Sequence, residues 1–316
     1  MNVTISKLSA AFLGAGMLAL AASLVIALGP LNPPSGAVTS TNKTLAEIEP
    51  RIAINSTNTP GDNDATPSLF KITQPGSYYL TGNITGVSGK HGIEIVASGV
   101  TIDLNGFELN GVPSSLDGIT ATVNFLNNLE IRNGVLRSWG GDGIDLSTFT
   151  AVNCSVRNIQ AVTNAANGIL VANATVMTGC NAHLNAQAGI AAGAACVISS
   201  CTSSFNTGSG ITTVNGCSIT GCSAWNNGTA GFAATGNCTF AECSSINNGQ
   251  AGFSAGNASS LVGCSASSNT TVGFLAGLGC TLTNCSATSN TTSGIVASNG
   301  CTIDRCSAYG NSAAGI

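Results

Sequence analysis

The chain has 316 residues and a formal net charge of −4, with charged side chains at only 7% of positions and Lys+Arg at 9. A nucleic-acid-binding surface needs a dense basic patch, and too few cations are present to build one, so that class of partner is excluded. Gly accounts for 40 residues and aromatics for 5%, a composition that would suit disorder if its polar residues did not recur at fixed phase.

At the N-terminus Lys7 precedes an apolar run over 8–28, followed by small residues such as Gly36 and Ala37. Residues 1–36 therefore read as a signal peptide, with a retained membrane anchor as the competing reading. On either reading the remainder is expected outside the cytoplasm, extracellular or at the cell surface, and meets a membrane only through an uncleaved N-terminal segment. Residues 37–69, rich in Pro, Ser, Thr and Asn, read as a linker.

From residue 70 the texture changes to short β-favouring runs, at 70–73, 78–81, 93–97 and 100–104, divided by Gly and Asn. Residues 70–90 are expected to cap the first rung of a strand stack, since an open strand edge invites aggregation. A Gly followed by Ile then appears at Gly92, Gly118, Gly143 and Gly168, spaced by 26, 25 and 25 residues. Over 168–316 the period settles to 21, with Gly189, Gly210, Gly231, Gly252, Gly273, Gly294 and Gly315 each followed by Ile or Phe. Asn recurs in phase at Asn164, Asn185, Asn206, Asn227, Asn248, Asn269, Asn290 and Asn311. Such a period marks stacked supersecondary units, so 91–167 are longer coils and 168–316 regular ones. The sequence stops at Gly315-Ile316, at the start of a coil, and the pattern predicts an array that continues or meets a partner there.

Within one repeat, Cys217 to Phe232 reads Cys-x-Ile-x-x-Cys-x-Ala-x-x-Asn-x-x-x-Gly-Phe. The alternations predict three short strands per coil, each pairing in parallel with its copy one turn on, about 4.8 Å away. No apolar stripe at i, i+3, i+4 supports a helix. Ile198, Ile219 and Phe240 point inward, and small residues at another phase (Ala182, Ser203, Ala224) lie opposite bulk at Phe232, Phe253 and Phe274, as a thin layered core requires. The Asn column falls at a bend, where stacked amides can bond along the column. The anchor glycines mark close backbone approach.

Thirteen Cys form two columns. They can be buried thiols acting as small hydrophobes, partial bridges between vertical neighbours, or metal ligands; the odd total leaves at least one thiol unpaired, and a four-residue spacing with little His speaks against metal.

Ionisable residues are dense between Lys90 and Gln160, whereas from residue 161 on the charged ones are only Glu242, Asp304 and Arg305. Any chemistry is expected in the early coils. His91, Asp117, Asp142 and Asn167 each precede an anchor Gly, and Asp145 follows on the next strand, with Arg132, Arg137 and Arg157 between. Stacked carboxylates at Asp117, Asp142 and Asp145 could hold Ca²⁺ or perform acid–base catalysis, or they could be ordinary turn residues before Gly. No other cofactor is expected. Trp139 and Trp225 could stack on sugars or cover apolar surface.

The anchors, the Asn column and the segments Gly76-Ser77-Tyr78-Tyr79-Leu80-Thr81-Gly82-Asn83 and Val100-Thr101-Ile102-Asp103-Leu104-Asn105-Gly106-Phe107 resemble secreted bacterial right-handed parallel β-helix repeat proteins of the pectate-lyase-like superfamily, over 70–316. The resemblance implies an all-β right-handed solenoid. The superfamily spans polysaccharide lyases, hydrolases, epimerases and adhesins, so fold does not choose the activity. Polygalacturonase-like members are matched only at Asp142-Gly143-Ile144-Asp145. Lyase-like members pair Ca²⁺-binding acids with an Arg or Lys base, for which Asp117, Asp142, Asp145 and Arg137 are the candidates. The expected function is an exported non-catalytic module, structural, adhesive or binding a polysaccharide or cell-surface glycan. Its rival is a Ca²⁺-dependent lyase-like enzyme at the early coils. A third reading, ice or mineral binding, would use the hydroxyl column Thr202, Ser223, Ser244, Ser265, Ser286 and Ser307, which Trp225, Ile246 and Tyr309 interrupt.

Overall fold

A computed structural model describes residues 49–147 and 152–316; the expected signal segment and the first part of the linker lie outside the described residues. Each regular coil contains three strands, as in Ile169–Val171, Val176–Thr178 and Asn181–His183. We call these the anchor, second and third rows. Every row pairs in parallel with the same row one coil later: Ile169 lies opposite Ile190, Met177 opposite Ile198 and Ala182 opposite Ser203. The anchor row is a sheet of 11 strands running from Ser68–Ile72 to Ile295–Ala297, which at rung spacing is about 50 Å of stacked coils.

The second and third rows are one bent strand in Glu130–Arg137 and Ser155–Val162. The bend sits at Asn133 and Asn158, with φ of 61° and 52°. In later coils the same corner is taken by Gly179, Ser200, Gly221 and Glu242, all with positive φ. The left-handed conformation explains why Gly and Asn dominate this phase.

The interior is a stack of single-residue layers. Phe232, Phe253 and Phe274 stack with ring centroids 4.7 and 4.9 Å apart, and Phe240 meets two of them edge-on. The Ala column opposite leaves room for them; where Ser203 and Ser245 replace Ala, the hydroxyl donates to the anchor carbonyls of Gly210 and Gly252. At the anchors a side chain has no space: a Cβ on Gly168 would lie 2.6 Å from the Gly189 carbonyl oxygen and 2.7 Å from the Asn185 amide nitrogen.

The Asn column is a continuous buried ladder. The backbone N–H and side-chain amide of Asn206 both donate to Asn227 Oδ1 (3.1 and 2.9 Å), while Asn206 Nδ2 also donates to the Ala182 carbonyl, 3.2 Å away. The cysteines are all free thiols, eleven buried and two, Cys301 and Cys306, partly exposed. They repeat the amide pattern in weaker form: Cys196 N–H donates to Cys217 Sγ at 3.4 Å, and Cys217 Sγ–H donates back to the Gly193 carbonyl at 3.1 Å. Where the column lacks Cys, Ser259 Oγ accepts from Cys238 N–H. Ser259 and Thr175 keep a small polar side chain in the first column, whereas Ile159 begins the second column with a buried apolar one, so these positions accept either. Burial pushes the Cys154 and Cys280 thiols up from their ordinary pKa, which keeps them protonated and unreactive.

Two expectations need correction, and one alternative for Trp139 falls. The segment 49–69 is not wholly a linker, because Ile52–Ala53 pairs in parallel with Gly76–Tyr79 and Ile54 is buried in the core. The segment 70–90 is not a separate cap: it holds strands of an ordinary coil, with Phe70 opposite Ile93 and Tyr78 opposite Ile102. The residues that lie over that coil come from 49–62, including an antiparallel bridge from Pro60 to Phe70. Trp139 offers no stacking face. It is 1% exposed and occupies the ladder position one coil before Asn164, whose Oδ1 accepts the Trp139 backbone N–H. Its indole fills the space left by Gly86, Gly92 and Gly118, and Nε1 donates to the Leu109 carbonyl.

Candidate functional sites on the early coils

The column before the anchor glycines is built as predicted, one residue above another, but its side chains point along the stack. His91 Nδ1 accepts the Asp117 N–H at 3.1 Å, Asp117 Oδ1 accepts the Asp142 N–H at 2.7 Å, and Asp142 Oδ1 accepts the Asn167 N–H at 2.6 Å. Asn167 Oδ1 continues the series to Ala188 N–H. Each residue thus satisfies a backbone donor of the next coil that the bend would leave without a partner. Asp142 is buried, and burial is the main cause that pushes its pKa up to about 6, against a hydrogen bond from the Asn167 N–H that lowers it; the neighbouring Asp117 and Asp145 add to the rise.

Asp145 lies on the anchor row opposite Thr120 and turns its Oδ1 to Ser147. Arg137 is not with these acids; it ends a third-row strand and pairs with Glu108 at 3.4 Å. Asp117, Asp142 and Asp145 follow one another but do not converge. Among the described residues no group of three His, Cys, Asp or Glu side chains is arranged to hold a metal ion.

A second charged cluster escaped the sequence reading. Glu94, only 1% exposed, accepts from Thr66 Oγ1 (2.9 Å), Ser68 Oγ (3.2 Å) and Thr122 Oγ1, and lies 3.2 Å from Lys71 Nζ. Lys71 also pairs with Asp62 and Asp64, at 2.6 and 2.9 Å, and these carboxylates hold its pKa above the usual lysine range. The cluster pins residues 62–71 onto the stack. The signal available in sequence was an acid inside the apolar run Ile93-Glu94-Ile95, but its partners come from the stretch taken for a linker.

The third row carries the other notable surface. Glu108, Arg137, Gln160, Asn181 and His183 line an open groove of about 520 Å³. Beyond its His183 end, Phe205 meets His183 and Trp225 edge-on, at centroid distances of 5.4 and 4.5 Å. Phe205 and Trp225 are exposed, as is Leu184. Trp225 therefore does present a face to solvent, as the sequence allowed.

Residues 147–281 match a family model described as right handed beta helix region. Among curated proteins no match to the chain is found. Among solved structures, the A-module of the mannuronan C-5 epimerase AlgE6 of Azotobacter vinelandii is similar with a TM-score of 0.57 at 16% identity, covering 84% of this chain and 83% of that one. The AlgE4 A-module of the same organism gives 0.54 at 14% identity, over 77% and 89%. The periplasmic alginate epimerase AlgG gives 0.50 at 9% identity, over 78% and 69%. At these identities the likeness is one of fold.

Proposed function

We propose that this chain, a right-handed parallel β-helix of the pectate-lyase-like type, is an exported, non-catalytic module that binds a polysaccharide or cell-surface glycan. One observation carries the reading. In the stacked column where acid–base groups could gather, Asp117 and Asp142 each give an oxygen to a backbone N–H of the next coil, and Arg137 is bound to Glu108 on a different face. The solved structures of similar fold include epimerases of mannuronan and alginate, which supports a glycan as the class of partner. Export rests on the apolar run over 8–28 behind Lys7.

A second reading, a polysaccharide-acting enzyme at the early coils, has Asp142 in its favour. A carboxyl whose pKa is about 6 is poised for proton transfer near neutrality, and a lyase-like version would draw Ca²⁺ to Asp117, Asp142 and Asp145.

The two are separated by incubating the full chain and its Asp142→Asn variant with neutral and acidic polysaccharides, with and without Ca²⁺. Retention in affinity electrophoresis and release of reducing ends or unsaturated uronates are measured together. The expected outcome is retention on some polysaccharide by both proteins and product from neither. Product that disappears in Asp142→Asn would replace the first reading with the second, and retention on nothing in the panel would remove glycan binding altogether.

A further inference from the structure

Resting on the glycan-binding reading, we propose that the ligand is an uncharged hexopyranose polymer held on the third-row face, running along the helix axis from the Arg137 groove to the Phe205–Trp225 corner. Three independent features meet there.

The first is backbone strain kept for exposed apolar groups. From Glu130–Arg137 onward the residue after each third-row strand has positive φ, and in most of these coils it is small or polar: Ser138, Thr163, Asn226, Asn247, Ser268 and Ser289. Only Leu184 and Phe205 break the rule, at φ of 57° and 55°. A bulky side chain is strained in this conformation, because its Cβ crowds the following carbonyl oxygen. Neither residue offsets that strain by burial, since they are 49% and 39% exposed. Strain of this kind held at a surface points to function.

The second is the aromatic arrangement. Phe205 and Trp225 stand edge-to-face at 71°, and His183 meets Phe205 at 85°. Rings fixed at an angle to one another offer separate apolar faces to successive sugars, whose axial C–H groups stack on aromatic rings while their hydroxyls stay wet. The rows that carry these residues advance about 4.8 Å per coil, close to the length of one pyranose unit. Arg137, His183 and Trp225 share one outward column, related through Val162 and Ser204. A chain lying along it passes one coil for each sugar.

The third is charge. Arg137 is closed by Glu108, and His183 Nδ1 shares a hydrogen bond with the Ser204 hydroxyl. Between them the groove presents the amides of Gln160 and Asn181. Amides and aromatics recognise hydroxyl-rich, neutral chains, whereas a polyuronate needs unpaired cations spaced along its length. Every arginine among the described residues has a carboxylate within 3.7 Å: Glu49, Asp103, Glu108, Glu130 or Asp304.

Only two Trp residues are present, and Trp139 is buried, so ligand-induced changes in fluorescence report on Trp225. The full chain is titrated with soluble neutral glucans, mannans and galactans, and separately with alginate and polygalacturonate. A neutral polymer is expected to shift the emission saturably, with an affinity unmoved by added salt. Trp225→Ala, followed by affinity electrophoresis, and Phe205→Ala should each weaken binding about tenfold, as loss of a packed aromatic anchor does, with melting temperature unchanged or raised for Phe205→Gly. Undiminished binding in both variants would place the ligand elsewhere and overturn this inference while leaving glycan binding intact. Preference for a polyuronate, weakened by salt, would overturn the assigned ligand class. Absence of binding to any polysaccharide would remove both readings together.

Discussion

Asp142 is an acid that folding prefers to protonate. Its pKa is about 6 in the folded chain, above the ordinary carboxylate value near 4, so the folded state holds a proton that the unfolded state has released between those values. Stability from this group is full below about pH 4 and is lost as the pH rises towards 6, by on the order of 3 kcal/mol in total. Asp142→Asn keeps an oxygen for the Asn167 N–H and matches the residue that stands one coil later in the same column. The variant should equal the parent in stability near pH 4 and exceed it at pH 7 by about 1–3 kcal/mol. Chemical denaturation at the two pH values measures this, and a difference that is the same at both would show that Asp142 is not held protonated. The spacing of His91, Asp117, Asp142 and Asn167 was readable in the sequence, because each precedes an anchor glycine. The direction of the side chains was not. Whether a carboxylate at a bend turns outward to a ligand or upward to the next coil depends on which N–H groups the bend leaves open, and that is set by the stack.

At the scale of the element, the Asn ladder and the Cys columns do the same job with different strength. Asn227 Oδ1 receives two donors of Asn206, and its Nδ2 donates to the Ser203 carbonyl. Asn227→Ala leaves the Asn206 N–H buried without a partner, at about 1–3 kcal/mol, and takes one bond each from Asn206 Nδ2 and the Ser203 carbonyl, so a loss of about 2–4 kcal/mol is expected. At Cys222, Sγ accepts from Cys201 N–H at a longer 3.5 Å, and Cys222→Ser should cost less than about 1.5 kcal/mol, because Ser259 already fills this role in the other column. Urea unfolding of the two variants compares them directly, and equal losses would show that the amide ladder adds nothing beyond its volume. The period made both columns legible, and with them the three strands per coil and the layered core. It failed at Trp139, where the ladder phase holds a residue of another type. The glycines that make room for its indole, Gly86, Gly92 and Gly118, lie in coils of unequal length, so no fixed spacing connects them.

Across the whole solenoid, stability is divided between two kinds of interaction. The first coils are fastened by ion pairs: Arg51 to Glu49 and Asp103, Arg132 to Asp103, and Lys71 to Asp62, Asp64 and Glu94. From residue 161 on, the coils rest on backbone pairing, buried amides and stacked rings, with one exposed ion pair between Asp304 and Arg305. The Arg51 guanidinium holds Glu49 down at about 2, and Lys71 does the same for Asp64. Acids with depressed folded pKa contribute stability that is present above the unfolded value near 4 and is lost as the pH falls towards 2. Because each coil touches only its neighbours, weakening the first coils need not unfold the rest. Hydrogen exchange followed by mass spectrometry at pH 2.5 and pH 6, compared as protection factors, should therefore show protection falling over 49–110 while 190–290 stays closed. Asp142 changes in the opposite sense, so the middle coils should hold at low pH. A uniform loss along the chain would mean that the solenoid unfolds as one cooperative unit and that its charged start is no weaker than the rest.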